Sequence, residues 1–245
     1  MRPRQLASKQ VYPDFDSLIA GAADFIVDLA VRSIAGHGNF TIALAGGGTP
    51  RPIYEKLAGP GYADRIDWNK MQVFFGDERC LPPEDPRSNY QMARAALLDR
   101  VPIPEPNIFR MRGEQTPAQA ALSYEAELRT CLGSDGLDLV LLGMGDNGHT
   151  ASIFPGLPAI TEASRWVLAQ YVEVMGMWRM TLTPAAINAA RHVAFLVSGA
   201  GKAEMLQKVL EGPYDPVVLP SQAIRPSSGQ LQWLMDQPAA ARLRR

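Results

Sequence analysis

The chain has 245 residues, with 24 Lys and Arg against 25 Asp and Glu, for a formal net charge of −1. Hydrophobic residues make up 47% and charged residues 20%, a balance that buries a core without disulfide or metal staples. The charge excludes a broad basic face for nucleic acid and an acidic solvating chain, and it leaves room for a small basic pocket that takes one anionic metabolite.

Two cysteines, Cys80 and Cys131, form neither a disulfide framework nor a zinc set, and they fit a reducing cytoplasm. Arg79 beside Cys80 favours a lowered thiol pKa, but no His–Cys signature surrounds it and the cysteine is read as incidental. The start, MRPRQLASKQ, is basic but has no apolar stretch behind it, so no secretory leader is expected. Nor is a membrane span, because no window is long and apolar enough. A cytoplasmic protein is the expectation.

In chain order, residues 14 to 36 read as a helix, with Phe15, Leu18, Ile19, Ala22, Ile26 and Leu29 at three-and-four spacing. Asp14 caps its start, and Gly36 and Gly38 end it. Phe40 to Ala45 reads as a buried strand running into Gly46-Gly47-Gly48-Thr49-Pro50 and a helix through Leu57. Met71 to Phe75 is a second strand, ending at Gly76-Asp77-Glu78-Arg79. Helices are expected over 88–98 and 117–132, and strands over 137–142, 167–172, 178–183 and 193–197. Pro184 starts a helix to about Ala190, and another covers 203–210. The tail from Leu231 to Ala240 reads as a last helix.

This alternation predicts an α/β protein with a largely parallel sheet. A single domain over 1–245 is expected, with a small flap subregion around 160–183. Polar residues collect where strands end, the edge that carries ligands in open α/β sheets.

Five motifs at or near those ends carry chemistry. Gly46-Gly47-Gly48-Thr49 turns sharply and exposes amides that suit an anion; it is neither a Walker A loop nor GxGxxG, and a plain packing turn is the alternative. Asp77-Glu78-Arg79, followed by Ser88-Asn89-Tyr90, offers an arginine fork for phosphate and carboxylates to orient a base. Three charges there are expected to avoid the core, with a salt-bridge cluster or helix cap as the alternative. Gly143-Met144-Gly145-Asp146-Asn147-Gly148-His149 puts an imidazole behind a glycine turn, where a general base belongs, with a histidine that caps the next helix or fills a crevice as the alternative. Arg179 and, in Gly199-Ala200-Gly201-Lys202, a lysine complete a set of cations for a phosphorylated small molecule, with a solvent-facing strand arginine and a plain helix-start lysine as the alternatives. His37 and His192 are expected to be solvated or packed. No metal-ligand spacing and no Gly-x-Ser-x-Gly elbow are present.

In this order the motifs resemble the 6-phosphogluconolactonase family over about residues 10 to 238. The block Gly148-His149-Thr150-Ala151-Ser152-Ile153-Phe154-Pro155 is the most specific, while the glycine cradle is shared with sugar-phosphate isomerases and glucosamine-6-phosphate deaminases of related fold. The resemblance implies a three-layer sandwich, a Rossmann-like sheet flanked by helices with sugar-phosphate isomerase/deaminase-like topology. It implies hydrolysis of 6-phospho-D-glucono-1,5-lactone to 6-phospho-D-gluconate in the oxidative pentose phosphate pathway, without cofactor or metal.

By position, His149, Arg179 and Asp77 would be catalytic, and Gly47, Gly48, Thr49, Arg79, Arg179 and Lys202 would hold the phosphate. Asp146, Asn147, Gly148 and Asn89 would shape the site. The family commonly has Gly-x-Asp-Gly-His; this chain has Asn147 at the aspartate position, which leaves Asn147 or Asp146 to orient the imidazole. The implied partner is a phosphorylated sugar lactone, with no nucleic acid or membrane and a monomer expected, a dimer left open. A deaminase-like or isomerase enzyme, or a non-catalytic sugar-phosphate regulator, is the alternative.

Overall fold

The computed structural model describes residues 7–133 and 135–244. The first six residues, on which the leader-peptide expectation partly rests, lie outside them. Strand β1 (Ser8–Tyr12) leads into α1 (Phe15–His37). Asp14 caps that helix, its carboxylate accepting from the Ser17 N–H at 2.7 Å. Gly38 ends it in the left-handed region, at φ 91°. There follow β2 (Phe40–Leu44), α2 (Pro50–Leu57), β3 (Met71–Phe75), β4 (Asp77–Arg79), α3 (Asn89–Ala96), α4 (Pro117–Leu132) and β5 (Leu139–Gly143). The second half holds β6 (Val167–Val172), β7 (Met177–Leu182), α5 (Pro184–Asn188), β8 (His192–Val197), α6 (Ala203–Glu211), β9 (Gln230–Asp236) and α7 (Gln237–Ala240).

Six strands form one sheet in the order β1-β9-β8-β5-β2-β3, with every neighbouring pair parallel. Successive side chains point to opposite faces, so an apolar run such as Phe40–Leu44 feeds two cores at once. Ile42, Leu44, Val73 and Leu141 pack with Leu18 and Ile26 of α1, Ile53 of α2 and Ala93 of α3. Ala43, Phe74, Val140 and Phe195 face the other way, onto Tyr124 of α4, Ile187 of α5 and Leu206 of α6. Helices, sheet and helices thus make three layers. A second sheet, antiparallel and ordered β4-β7-β6, joins the latter face through Val167, Met180 and Leu182.

Strand order positions the site. Chain leaving β2 goes to β3 on one side, and chain leaving β5 goes to β8 on the other. The crevice beyond the carboxyl ends of β2 and β5 is therefore the switch point, and the two most glycine-rich loops open onto it.

Two expectations are corrected. The tail is not a helix from Leu231: Gln230–Asp236 is a strand and only Gln237–Ala240 is helical. The apolar run fits either period, and pairing with β8 and β1 decides it. Nor do all charges at the end of β3 avoid the core. Asp77 and Glu78 are 5% and 2% exposed and belong to a strand of the second sheet. Burial is tolerated there because each carboxylate finds donors. The strand at Ser8–Tyr12 was not anticipated; its polar, exposed residues are ordered by pairing with β9 rather than by an apolar pattern.

Candidate active site

At the switch point lies a cleft of about 190 Å³ lined by Gly46, Gly47, Asp77, Arg79, Asn89, His149 and Arg179, among others. The fold brings these together from five places: the loop after β2, strand β4, the start of α3, the loop after β5, and strand β7. After β2 the backbone passes so close to Asn89 that a Cβ on Gly46 would lie 1.8 Å from the amide oxygen, so the position requires glycine.

His149 ends the loop after β5. Its carbonyl accepts from the Gly145 N–H at 2.8 Å, and the Gly145 carbonyl accepts from the Gly148 N–H at 3.1 Å, which folds the loop back on itself. The ring lies over Gly145, where a Cβ would come within 2.0 Å of it. On another side it stacks on Phe154, centroids 4.2 Å apart. Nδ1 lies 2.6 Å from Oδ1 of Asn147, which also accepts the His149 backbone N–H at 3.2 Å. That second contact fixes the amide's orientation, and an acceptor at Nδ1 puts the proton there. Nε2 keeps its lone pair. Burial lowers the pKa to about 4; Asp77 works against it, and Arg179 and Lys202 add to it. The imidazole is neutral at pH 7. Asn147, not Asp146, is the residue that orients it.

Beside it sits a buried ion pair. Nη2 of Arg179 donates to Oδ2 of Asp77 at 2.7 Å, with both side chains 7% exposed. Asn89 donates to Oδ1 of Asp77 at 3.0 Å, and Ser152 to Oδ2 at 2.6 Å. Burial alone would raise the carboxyl's pKa, but Arg179 and Arg79 outweigh it and hold the pKa below the ordinary value. Glu78 points away from this pair and caps α3. It accepts from the backbone N–H groups of Asn89 at 2.7 Å and Tyr90 at 2.8 Å.

Arg79 lies directly across the antiparallel pair from Arg179. Like charges opposite one another are unfavourable unless an anion is shared. One arm of Arg79 donates to the Arg87 carbonyl, while its buried Nε has no partner among the described residues. Burial and the nearby Arg179 lower its pKa against the pull of Asp77.

Other expected residues are outside the cleft lining: Gly48, Thr49 and Lys202, and with them Asp146, Asn147 and Gly148. Thr49 shares a hydroxyl contact with Ser198 at 2.8 Å, and Lys202 is paired with exposed Asp146 at 2.5 Å. At Cys80 the neighbouring arginine does not lower the thiol: burial, reinforced by Glu78, pushes it up to about 11 against the pull of Arg179. The motif reading assigned no role to Ser152, Phe154 or Gln170, the last donating to the Ser152 carbonyl at 2.7 Å. Ser152 and Phe154 lie within five residues of His149, but hydroxyl and aromatic types carried no chemical signal of their own.

Residues 13–233 match the family model described as glucosamine-6-phosphate isomerases/6-phosphogluconolactonase. The chain belongs to that family. It is 42% identical to the 6-phosphogluconolactonase of Nostoc sp. over 96% of its own length and 97% of the relative's. It is equally identical, at 42%, to that of Synechocystis sp. over 93% and 94%. The solved 6-phosphogluconolactonase of Trypanosoma brucei superposes with a TM-score of 0.88 at 30% identity, covering 98% of this chain and all of that one, 100%. Among the described residues, no helix is long and apolar enough to cross a membrane.

Proposed function

We propose that this chain is a lactonase that hydrolyses 6-phospho-D-glucono-1,5-lactone to 6-phospho-D-gluconate, the ring-opening step of the oxidative pentose phosphate pathway, with His149 as the general base. The observation that carries the base assignment is the Asn147 contact. It leaves a neutral imidazole with its lone pair on Nε2, in one cleft with two arginines.

Nε2 takes a proton from water as the oxygen attacks C1. The carbonyl electrons move onto oxygen, and their return expels the ring oxygen. The imidazolium then gives its proton to that oxygen, which becomes the new hydroxyl. Water is consumed and no other reactant is needed. Donors aimed at the developing negative charge lower the barrier.

The facing Arg79 and Arg179, with Gly47, Gly48, Thr49 and Lys202, hold the phosphate. Two guanidiniums side by side, with one Nε lacking a partner, support an anion between them. Asp77 holds Arg179; Asn89, Asp146, Asn147 and Gly148 shape the loops around it. A neutral amide in place of the usual aspartate keeps the histidine oriented and its pKa low. Monomeric action in the cytoplasm belongs to the same proposal.

The test is a coupled assay of lactone disappearance, corrected for spontaneous hydrolysis, on the wild-type chain and His149→Ala. Loss of turnover with retained product binding is expected. An unimpaired variant would remove His149 from the base role.

A further inference from the structure

Ser152 has no role in the chemistry above, yet it is fully buried, at 0% exposure, between the charged groups of the site. Its Oγ accepts from Nε of Arg179 at 2.5 Å and donates to Oδ2 of Asp77 at 2.6 Å. The same Oδ2 accepts from Nη2 of Arg179 at 2.7 Å. An arginine that meets a carboxylate squarely puts Nε and Nη2 on its two oxygens. Here the serine takes the Nε arm, and Oδ1 goes to Asn89 instead. The closed ring of hydrogen bonds fixes the rotation of the guanidinium plane. Nη1, the arm outside that ring, makes no hydrogen bond to the protein among the described residues.

The backbone is bent to put the hydroxyl there. Thr150 and Ile153 pair across a tight turn, and between them Ala151 sits at φ 47°, the left-handed region that a residue with a Cβ seldom adopts. This turn lets one short segment send His149 to the cleft and Ser152 to the buried side. Ser152 is then pinned through its own backbone: its N–H donates to Oγ1 of Thr181 at 3.1 Å, and its carbonyl accepts from Gln170.

We propose that Ser152 is a positioning residue for substrate binding: it sets the Arg179 guanidinium so that the Nη1 edge faces the substrate's anionic group. The inference rests on reading the cleft as a phosphorylated-lactone site. It makes the loop that carries the base also the loop that aims the anion-binding arm. A change in one position of that loop is thereby felt by both.

Two variants test it. Ser152→Ala removes the hydroxyl, and Ser152→Cys keeps a side chain of similar shape with only a weak donor. In both, the KM for the phosphorylated lactone should rise about tenfold while kcat stays within about threefold, the pattern of lost ground-state binding. Thermal melting of each variant verifies that it is folded, and Ser152→Cys carries the test if Ser152→Ala does not fold. An unchanged KM, a wild-type KM in Ser152→Cys alone, or a fall in kcat that outweighs the rise in KM would overturn the proposal. Calorimetric titration with inorganic phosphate separates this from the lactonase reading. A wild-type chain that binds phosphate more tightly than its Ser152 variants but leaves the lactone intact keeps the Ser152 role and loses the lactonase. A wild-type chain that turns over lactone with phosphate affinity equal to its variants does the reverse.

Discussion

The two ends of the parallel sheet use the same residue types to different effect. At the amino end, Asp138 just before β5 accepts from the Thr41 N–H at 2.9 Å, the Thr41 hydroxyl at 3.0 Å and His37 Nε2 at 3.0 Å. The Asp138 N–H in turn donates to Oγ1 of Thr41 at 2.8 Å. Asn39 occupies the other ring nitrogen of His37, at 2.9 Å. Both nitrogens of that histidine are used, and the carboxylate stitches β2 to β5. At the carboxyl end only Nδ1 of His149 is engaged, and Arg79 keeps a buried Nε without a partner among the described residues. A histidine, an aspartate and at least one arginine meet in both places, Arg191 reaching Asp138 at 3.5 Å at the amino end. Unspent hydrogen-bonding capacity alone does not separate them, since His192 Nδ1 at the amino end is also buried without a partner among the described residues. The difference is that His37 has both nitrogens engaged while His149 has one, in a cleft with two arginines.

The contrast breaks first at the histidines. His149→Ala should lower kcat by about 10²–10⁴, the usual contribution of a general base, whereas His37→Ala should leave kcat and KM as they are. Steady-state kinetics on the lactone would show it, and a similar loss in both variants would dissolve the distinction.

Arg179→Ala comes next. It should raise KM strongly and also destabilise the fold by about 3–5 kcal/mol, because buried Asp77 loses its charged partner. Urea unfolding beside kinetics separates the two effects. Asp138→Ala sharpens the other side. Removing an acceptor shared by a backbone N–H, a hydroxyl and an imidazole should cost about 2–4 kcal/mol of stability, with kinetic constants unchanged in the folded fraction.

The smallest effect tests the amide beside the base. His149 has its pKa lowered to about 4, so activity should fall as pH drops through that region and the ring gains a proton. Asn147→Asp puts a negative charge beside Nδ1, favours the imidazolium and should move this acid limb upward by about one unit. A limb that does not move would mean that the Asn147 contact does not govern the titration.

Much of this architecture was legible in the chain because parallel strands covered on both faces read as apolar runs. Phe40 to Ala45 and Met71 to Phe75 are such runs, and the Asp14 cap and Gly38 stop were local signals with local causes. The last strand was misread because Leu231, Trp233, Leu234 and Met235 suit a helix as well as a strand, and only neighbours from distant sequence choose. At the site, glycines and a histidine at strand ends announced a cleft. The pairing of Arg179 with Asp77 joins positions 102 residues apart, and no spacing rule reaches that far. Ser152 was invisible for a different reason: a hydroxyl becomes a positioning group only when a strained turn buries it between two charges.

The facing of Arg79 and Arg179 has a geometric consequence. Side chains opposite one another in an antiparallel pair start about 4.5–5.5 Å apart, a spacing set by the strands and not by rotamers. The short strand Asp77–Arg79 therefore works as a ruler for charge. Because the pleat repeats every two residues, a slip by one register step would turn Arg79 to the opposite face and bring Glu78 into line with Arg179. A slip the other way would set Cys80 against Arg179, so insertions and deletions in the chain leading to Asp77 should change the group facing Arg179 in whole steps and not by degrees.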